Sequence, residues 1–401
     1  MNEISVKKPG IFYLAGFLSY LMNGIIGPLF IVYLLSIGLN PAQIGVLLAS
    51  GSIATIIFEF PTGLYADHFG RRKSLLVSFS LFFLLYAVWF FSKSFYLLET
   101  LSILGGIAYT FQSGARDSLM IDNLSLDNDS DRNSVFARLS AYGNAGSLIG
   151  GLIAALLAFY FMKSIWIAAS LLNLLSLALY LFFVKESTPS LVSLSNTGNR
   201  SKKILQLAKK SIYFITHHER IFPLMLVSII FTLAISVYGF GFPVFLREVI
   251  KIPNYYFGFI GSLSALMGIL SAYLGEKLLK RKKYDFVIVL FSLTLFAFYL
   301  LFGFSRITWI ALLSFVAIEF FINGWFPVFQ SFFNKFIPSQ MRASVLSLNS
   351  SSNLVVAALA DVMVGFLLIT FKPGNLIIYS SFLFILIPII ILISKKRPSS
   401  A

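Results

Sequence analysis

Several ionisable side chains sit inside or at the edge of long apolar runs in this sequence: Glu59, Arg116, Asp117, Arg138, Glu319 and Asp361. An ionised group at the centre of a bilayer costs roughly 3 kcal/mol on insertion scales, so it must face a partner, a cavity or water. A carboxylate in such a place is a candidate for taking up and releasing a proton during a working cycle. Glu319 lies nearest the middle of its run and is the first candidate; a structural carboxylate bonded to Asn323 or to nearby tyrosines is the alternative. Asp361 is the second, with a helix-packing contact as its alternative. Arg116 and Asp117 lie toward one end of their run and either act as a gate with their neighbours or reach out to the surface. The strip Asn349-Ser350-Ser351-Ser352-Asn353 is neutral but equally expensive against lipid, and fits beside water.

Such residues can only be positioned by a framework that itself lives in the membrane. Of 401 residues, 58% are apolar and 12% charged, with 44 phenylalanines. A soluble domain carries about 25% charged residues. The mean hydropathy of +0.87 describes the whole chain rather than one segment. The apolar runs are continuous, which excludes the alternating pattern of a transmembrane barrel and predicts helices. Twelve spans are predicted, at 11–37, 41–65, 74–93, 97–121, 135–161 and 164–184 in a first half, and 221–247, 254–276, 285–305, 307–331, 343–371 and 375–394 in a second. The fold class is therefore all-α integral membrane, with domains 1–184, 185–220 and 221–401. Every third span (the third, sixth, ninth and twelfth) lacks interior charge and is expected to be a lipid-facing brace.

The net charge of +15 does not point to nucleic acid, because the basic residues alternate between loops. With the N-terminus inside, the inner segments hold Arg71, Arg72, Lys73, Lys185 and the runs at 202–210, 280–283 and 395–397, while the outer loops keep Lys93, Lys163, Arg247, Lys251, Arg306 and Lys372. The excess is roughly four to one toward the inside, which places both termini in the cytoplasm of a cell (inner) membrane. The segment 185–220 is the one long polar linker. Within it Lys202–His218 has Ile204, Leu205, Ala208, Ile212 and Ile215 at helical spacing among Lys203, Lys209 and Lys210, as in a helix lying on the inner leaflet, or as in a simple tether. A weak repeat relates the halves: Arg132-Asn133-Ser134-Val135 returns as Arg342-Ala343-Ser344-Val345, and Ser113-Gly114 as Asn323-Gly324.

Between the second and third spans lies Gly63-Leu64-Tyr65-Ala66-Asp67-His68-Phe69-Gly70-Arg71-Arg72-Lys73. It resembles the signature loop of the major facilitator superfamily, with His68 where a basic residue is usual. The resemblance implies a secondary transporter of two six-helix halves working by alternating access, in which Asp67, Arg71 and Asp122 latch the inner ends together, joined by Arg138. Gly63 is expected to let the second span approach a neighbour, and Gly70 to allow the tight reversal. Gly275-Glu276-Lys277 with Lys280–Lys283 is a degraded copy. Gly146-Ser147-Leu148-Ile149-Gly150-Gly151, with Gly143 upstream, resembles an antiporter motif with Ser147 in place of proline, and is expected to pack the fifth span against the other half. Glu59-Phe60-Pro61-Thr62-Gly63 with Ser113, Gly114 and Asp122 resembles the bacterial drug-efflux branch.

Phosphate-cradling glycine loops, cysteines and metal-ligand spacings do not occur in the sequence, so no ATP site, thiol chemistry, metal or other cofactor is expected. The expectation is a proton-coupled exporter of small amphiphilic molecules, monomeric and no enzyme; a proton- or sodium-coupled uptake symporter for a nutrient is the alternative. Tyr20, Tyr33, Tyr238, Phe240, Phe320, Phe321 and Trp325 are expected to line the pocket.

Overall fold

The computed structural model describes residues 9–124, 129–186, 210–279 and 282–396, and among these it is helical without a strand. Eleven helices are long and apolar enough to cross a membrane. In chain order the helices are α1 (Pro9–Ser36), α2 (Pro41–Phe69), α3 (Arg71–Phe91), α4 (Phe95–Thr110), α5 (Ala115–Leu124), α6 (Asp129–Phe161), α7 (Ser164–Phe183), α8 (Ile221–Glu248), α9 (Tyr256–Leu279), α10 (Tyr284–Phe304), α11 (Thr308–Asn334), α12 (Arg342–Thr370), α13 (Pro373–Ser381) and α14 (Leu383–Lys396). The last span is traced by α13 and α14 together. The fourth expected span, 97–121, is not one helix: it is broken at Phe111–Gly114 into α4 and α5.

Several ends are set by capping chemistry. Asn40 accepts from the N–H of Gln43, whose side chain accepts in return from the N–H of Asn40, and Pro41 opens α2. Gly70 separates α2 from α3 at φ +109°, a conformation that excludes side chains. The helices run past the apolar stretches into polar sequence, as α2 does to Phe69 and α6 does back to Asp129. Of the linker, Lys202, Lys203, Ile204, Leu205, Ala208 and Lys209 lie outside the described residues; 210–217 is helical, with Ile215 buried and Lys210 and Ile212 exposed. Lys280 and Arg281 of the degraded loop copy also lie outside them.

The chain divides into two compact units, Met1–Ser190 with Ile252–Leu266, and Leu191–Lys251 with Met267–Ala401. The first turns of α9 thus belong to the first unit. Inside that unit α1 packs on α6, α2 on α4, and α3 on α7. Small residues bring these pairs close. A Cβ on Gly146 or Gly150 would strike the carbonyls of Phe17 or Leu21 on α1, and one on Gly143 would strike the Tyr20 ring. These three glycines therefore pack α6 against its own unit rather than against the other half as expected. Only Gly151 of the set faces a helix that follows the linker, meeting Gly258 and Ser262 of α9, where Ser262 donates to the Leu148 carbonyl at 2.7 Å. In the second unit α10 packs on α11 and α13, and α8 on α12 and α14. Gly303 and Gly374 let α10 and α13 touch backbone to backbone. Large apolar side chains such as Phe91, Phe159, Phe182 and Leu313 are exposed, which in water would be a liability and against acyl chains is not.

Two consequences are measurable. Gly150→Leu is expected to destabilise the purified protein by roughly 1–3 kcal/mol through overpacking, seen as a lower thermal midpoint in detergent. Gly105→Ala, where an added Cβ meets nothing within 4 Å, leaves the midpoint unchanged or raises it. At the start of α8 the His218 Nδ1 accepts from the N–H groups of Arg220 at 3.2 Å and Ile221 at 3.3 Å, so the bond requires a neutral Nδ1. Burial holds this imidazole below its ordinary value. The contribution is then present above about pH 6.5, the value of an unfolded histidine, and is lost as pH falls through the lower folded value. The protection of the Arg220 and Ile221 amides, relative to intrinsic exchange at each pH, should fall between about pH 7 and pH 5, by no more than about 1 kcal/mol. In His218→Asn, which keeps an acceptor that does not titrate, protection should show no such drop beyond the intrinsic pH dependence of exchange.

Candidate functional site

A chain inside a bilayer has no water to bond its backbone, so a helix can break only where other groups take over. The break at Phe111–Gly114 meets that condition. Ser74 and Ser78, one turn apart on α3 and fully buried, donate to the Phe111 carbonyl at 2.5 Å and to the Ala108 carbonyl at 2.7 Å. Gly114 takes φ +70°, and α5 restarts at Ala115. Leu119, Met120 and Leu124 anchor the new helix in an apolar cluster with Leu75, Phe79 and Tyr180.

The break turns Gln112, Ser113, Arg116 and Asp117 into a cavity of about 560 Å³ within the first unit. Its other walls come from α1, including Tyr20 and Asn23, from Phe79, Phe82 and Tyr86 of α3, and from Asn173 and Ser176 of α7. The third and sixth spans, expected only as lipid-facing braces, expose large apolar side chains such as Phe91 and Phe182 but also give one face to the cavity. Their polar residues are uncharged, and a count of charges passes over them. Asn173, nearly buried, donates to the Ala169 carbonyl at 2.8 Å and toward the Met22 sulfur at 2.9 Å. Arg116 is steadied by Gln112 one turn earlier, its guanidinium donating to Oε1 at 2.6 Å. Glu59 is exposed and accepts from the Ser113 hydroxyl at 3.3 Å, beside the break.

In the second unit Glu319 is half-buried. Asn323 donates to the Glu319 backbone carbonyl at 2.8 Å and reaches its carboxylate at 3.4 Å. Tyr238 and Tyr299 are buried within electrostatic reach of Glu319. Asp361, half-buried on α12, makes no hydrogen bond or ion pair with another described residue. Asn353 donates to Ser228 of α8 at 2.7 Å, and the amide oxygens of Asn349 and Asn353 are buried without a partner. Of the aromatic residues expected to line a pocket, Tyr20 lines the cavity. Tyr33 packs edge-on to Trp166, while Trp325 stacks on Phe231 at 4.3 Å and is buried.

At the α2–α3 turn the structure joins Arg71 to Asp122, an ion pair with both side chains about a third exposed. Asp67 is exposed and Arg138 is exposed, each without a hydrogen bond to a described residue. A side chain at Gly63 would meet nothing within 4 Å, so no close helix approach uses it here. Arg72 does something the sequence did not suggest. Its guanidinium donates to the last carbonyls of α7, Tyr180 at 3.0 Å and Leu181 at 2.6 Å. Glu186, just beyond α7, accepts in turn from the first N–H groups of α3, Arg72 at 2.9 Å and Lys73 at 3.2 Å. Cation meets carbonyl end and carboxylate meets amide end, each satisfying groups a helix leaves open. A Cβ at Gly70 would also push the Glu186 carboxylate away from these N–H groups.

The family signature described as Major Facilitator Superfamily matches residues 12–361, most of the chain. The chain belongs to the major facilitator superfamily. It is accordingly a multi-pass membrane protein and a secondary transporter, not an enzyme. It is 27% identical over 396 residues to an uncharacterized MFS-type transporter, YxaM, of Bacillus subtilis (strain 168), covering 95% of this chain and 94% of that one. It is 32% identical over 151 residues to a gallate transporter of Pseudomonas putida, 37% of this chain and 33% of that one. Among solved structures, a mutant of the nucleoside transporter NupG superposes with a TM-score of 0.82 at 13% identity, over 97% of this chain and 100% of that one, a likeness of fold.

Ser74, Ser78, Gln112, Asn173 and Glu186 were not among the residues singled out from sequence. The pair of serines spaced by four within an apolar run was the available signal; nothing local marks Glu186 as a partner for a turn more than a hundred residues earlier. Its weight can be measured. Glu186→Ala should lower stability by about 1–2 kcal/mol, as loss of a charged helix cap does. Arg71→Gln, which breaks an exposed pair, should lower it by less than about 1 kcal/mol. Thermal midpoints of the two variants in one detergent decide the order.

Proposed function

We propose that this transporter is a proton-coupled exporter of small amphiphilic organic molecules, held in the cell's inner membrane with both termini cytoplasmic. The observation that carries the reading is the cavity beside the broken helix. Phe79, Phe82 and Tyr86 offer it aromatic walls, while Arg116, Asp117, Gln112 and Asn173 offer polar ends. An amphiphile needs both. Glu319 and Asp361, at the depth of the second unit's helices, are the carboxylates whose protonation drives the cycle, with Asn323 steadying Glu319. Asp67, Arg71 and Asp122 form the inner latch; Arg138 is a further candidate for it, and Arg72 supports it by tying α3 to α7. The excess of Lys and Arg in the segments facing one side supports the orientation. A monomer is the working unit of the proposal.

A second reading, uptake of a nutrient driven by protons or sodium, is favoured by one feature. Asn23, Gln112 and Asn173 give the cavity more amide groups than a purely apolar substrate would need. A relative named for gallate fits that reading as well, over the third of the chain that matches it.

The test is accumulation of dyes and antibiotics in cells that lack their own pumps and express the protein or Glu319→Gln. The protein should lower accumulation, and an uncoupler and the variant should each abolish the effect. Gradient-driven uptake of solutes into proteoliposomes, with no dye expelled from cells, would replace export by the second reading. Full activity of Glu319→Gln would move the coupling role to Asp361.

A further inference from the structure

We propose that the cavity of the first unit takes a dipolar aromatic molecule, with its carboxylate at Arg116 and its ammonium group at Asp117. The inference rests on the reading of that cavity as the transport site and names the class of substrate. Among the residues that line it, Arg116 is the single cation and Asp117 the single carboxylate. They are neighbours in sequence at the first turn of α5, so both enter the cavity from the same edge of the break. They are not paired to one another. Arg116 spends one guanidinium donor on Gln112, which fixes its direction and leaves its other N–H groups open. Asp117 makes no hydrogen bond or ion pair with a described residue.

Opposite charges that line one cavity without pairing to one another constrain what can bind there. A singly charged ligand would satisfy one of them and leave the other without a charged partner. An uncharged ligand would satisfy neither with a charge-assisted bond. A molecule with a carboxylate and an ammonium group answers both and adds no net charge. The third requirement comes from α3, which packs on the break, where Phe82 and Tyr86 lie nearly parallel with centroids 5.4 Å apart and Phe79 lies one turn away. Such a wall favours a ring between the two charged ends, through offset stacking or edge contact.

The measurement is equilibrium binding to the full-length protein in nanodiscs, with four ligands built on the same para-substituted benzene. They are para-(aminomethyl)benzoate with both charges, para-(hydroxymethyl)benzoate with the negative one, para-(hydroxymethyl)benzylamine with the positive one, and benzene-dimethanol with none. The dipolar compound should bind about tenfold or more tighter than any other, the effect of one added charge-assisted bond. Arg116→Gln should weaken the two carboxylates and spare the amine. Asp117→Asn should weaken the two amines and spare the carboxylate. A loss confined to one charge class cannot come from misfolding, and if a variant fails to fold the ranking on the unaltered protein still decides. Equal or tighter binding of a singly charged or neutral compound overturns the proposal, as does an unchanged ranking in both variants. Dye efflux from proteoliposomes made with the same purified protein separates the two levels. Gradient-driven efflux without a preference for the dipolar compound removes only the substrate class, whereas no binding and no flux of any compound removes the transport reading of the cavity with it.

Discussion

Everything distinctive about the first unit follows from the rule that a backbone N–H or C=O in the bilayer interior must be bonded within the chain. A continuous helix obeys it automatically. The α4–α5 break obeys it through turn bonds of its own, such as those of the Gln112 and Ser113 N–H groups to the Tyr109 carbonyl, and through two serines of α3 whose hydroxyls meet the carbonyls of Ala108 and Phe111. With those carbonyls satisfied, the chain is free to swing Gln112 and Ser113 into a cavity and to restart with charged residues in its first turn. The cavity is thus inseparable from the break, and the break depends in part on a neighbour that looks featureless in a hydropathy profile.

The same dependence explains how much of the molecule could be read from sequence. Span existence was legible throughout, because length and continuous apolarity are local properties. The break was not, since an averaged window over 97–121 stays apolar across four residues of irregular backbone. The internal repeat pointed toward it: Ser113-Gly114 and Asn323-Gly324 occupy matching places, but Gly114 has a positive φ while Gly324 sits inside α11 with its missing side chain filled by Phe291. Matching residues have been put to different uses, one for a bend and one for close packing. At the α2–α3 turn, Arg71 with Asp122 was legible because a charge pattern names its own complement. Arg72 with α7 was not, because backbone carbonyls carry no sequence signature.

Glycine placement carries a related lesson. Gly143, Gly146, Gly150 and Gly151 form a motif by spacing, and spacing says that something approaches closely without saying what. Three of them receive α1, whose own Gly24 is matched to Ser147 and Gly150, so the tight contact is built from both sides. Gly151 alone meets α9, at residues that are themselves small, Gly258 and Ser262. The choice between these partners depends on rotation about the helix axis by a single residue step, about 100°. That distinction lies between adjacent letters of the sequence and is settled only by the fold.

The two sets of contacts at the α2–α3 turn differ in kind in a way that suits different duties. The Arg71–Asp122 pair is partly exposed, and exposed pairs are worth roughly 0–1 kcal/mol. A latch proposed to open in every cycle has to be of that order, because a contact much stronger would hold one state against any modest driving force. The exchange between Arg72 and the end of α7, and between Glu186 and the start of α3, binds backbone groups that two helix ends leave open, through four bonds rather than one. It joins two helices of one unit, which the proposed cycle would keep together. Neighbouring arginines in one loop therefore answer opposite requirements: Arg71 pairs with another side chain and can let go, and Arg72 caps a helix and is expected to stay.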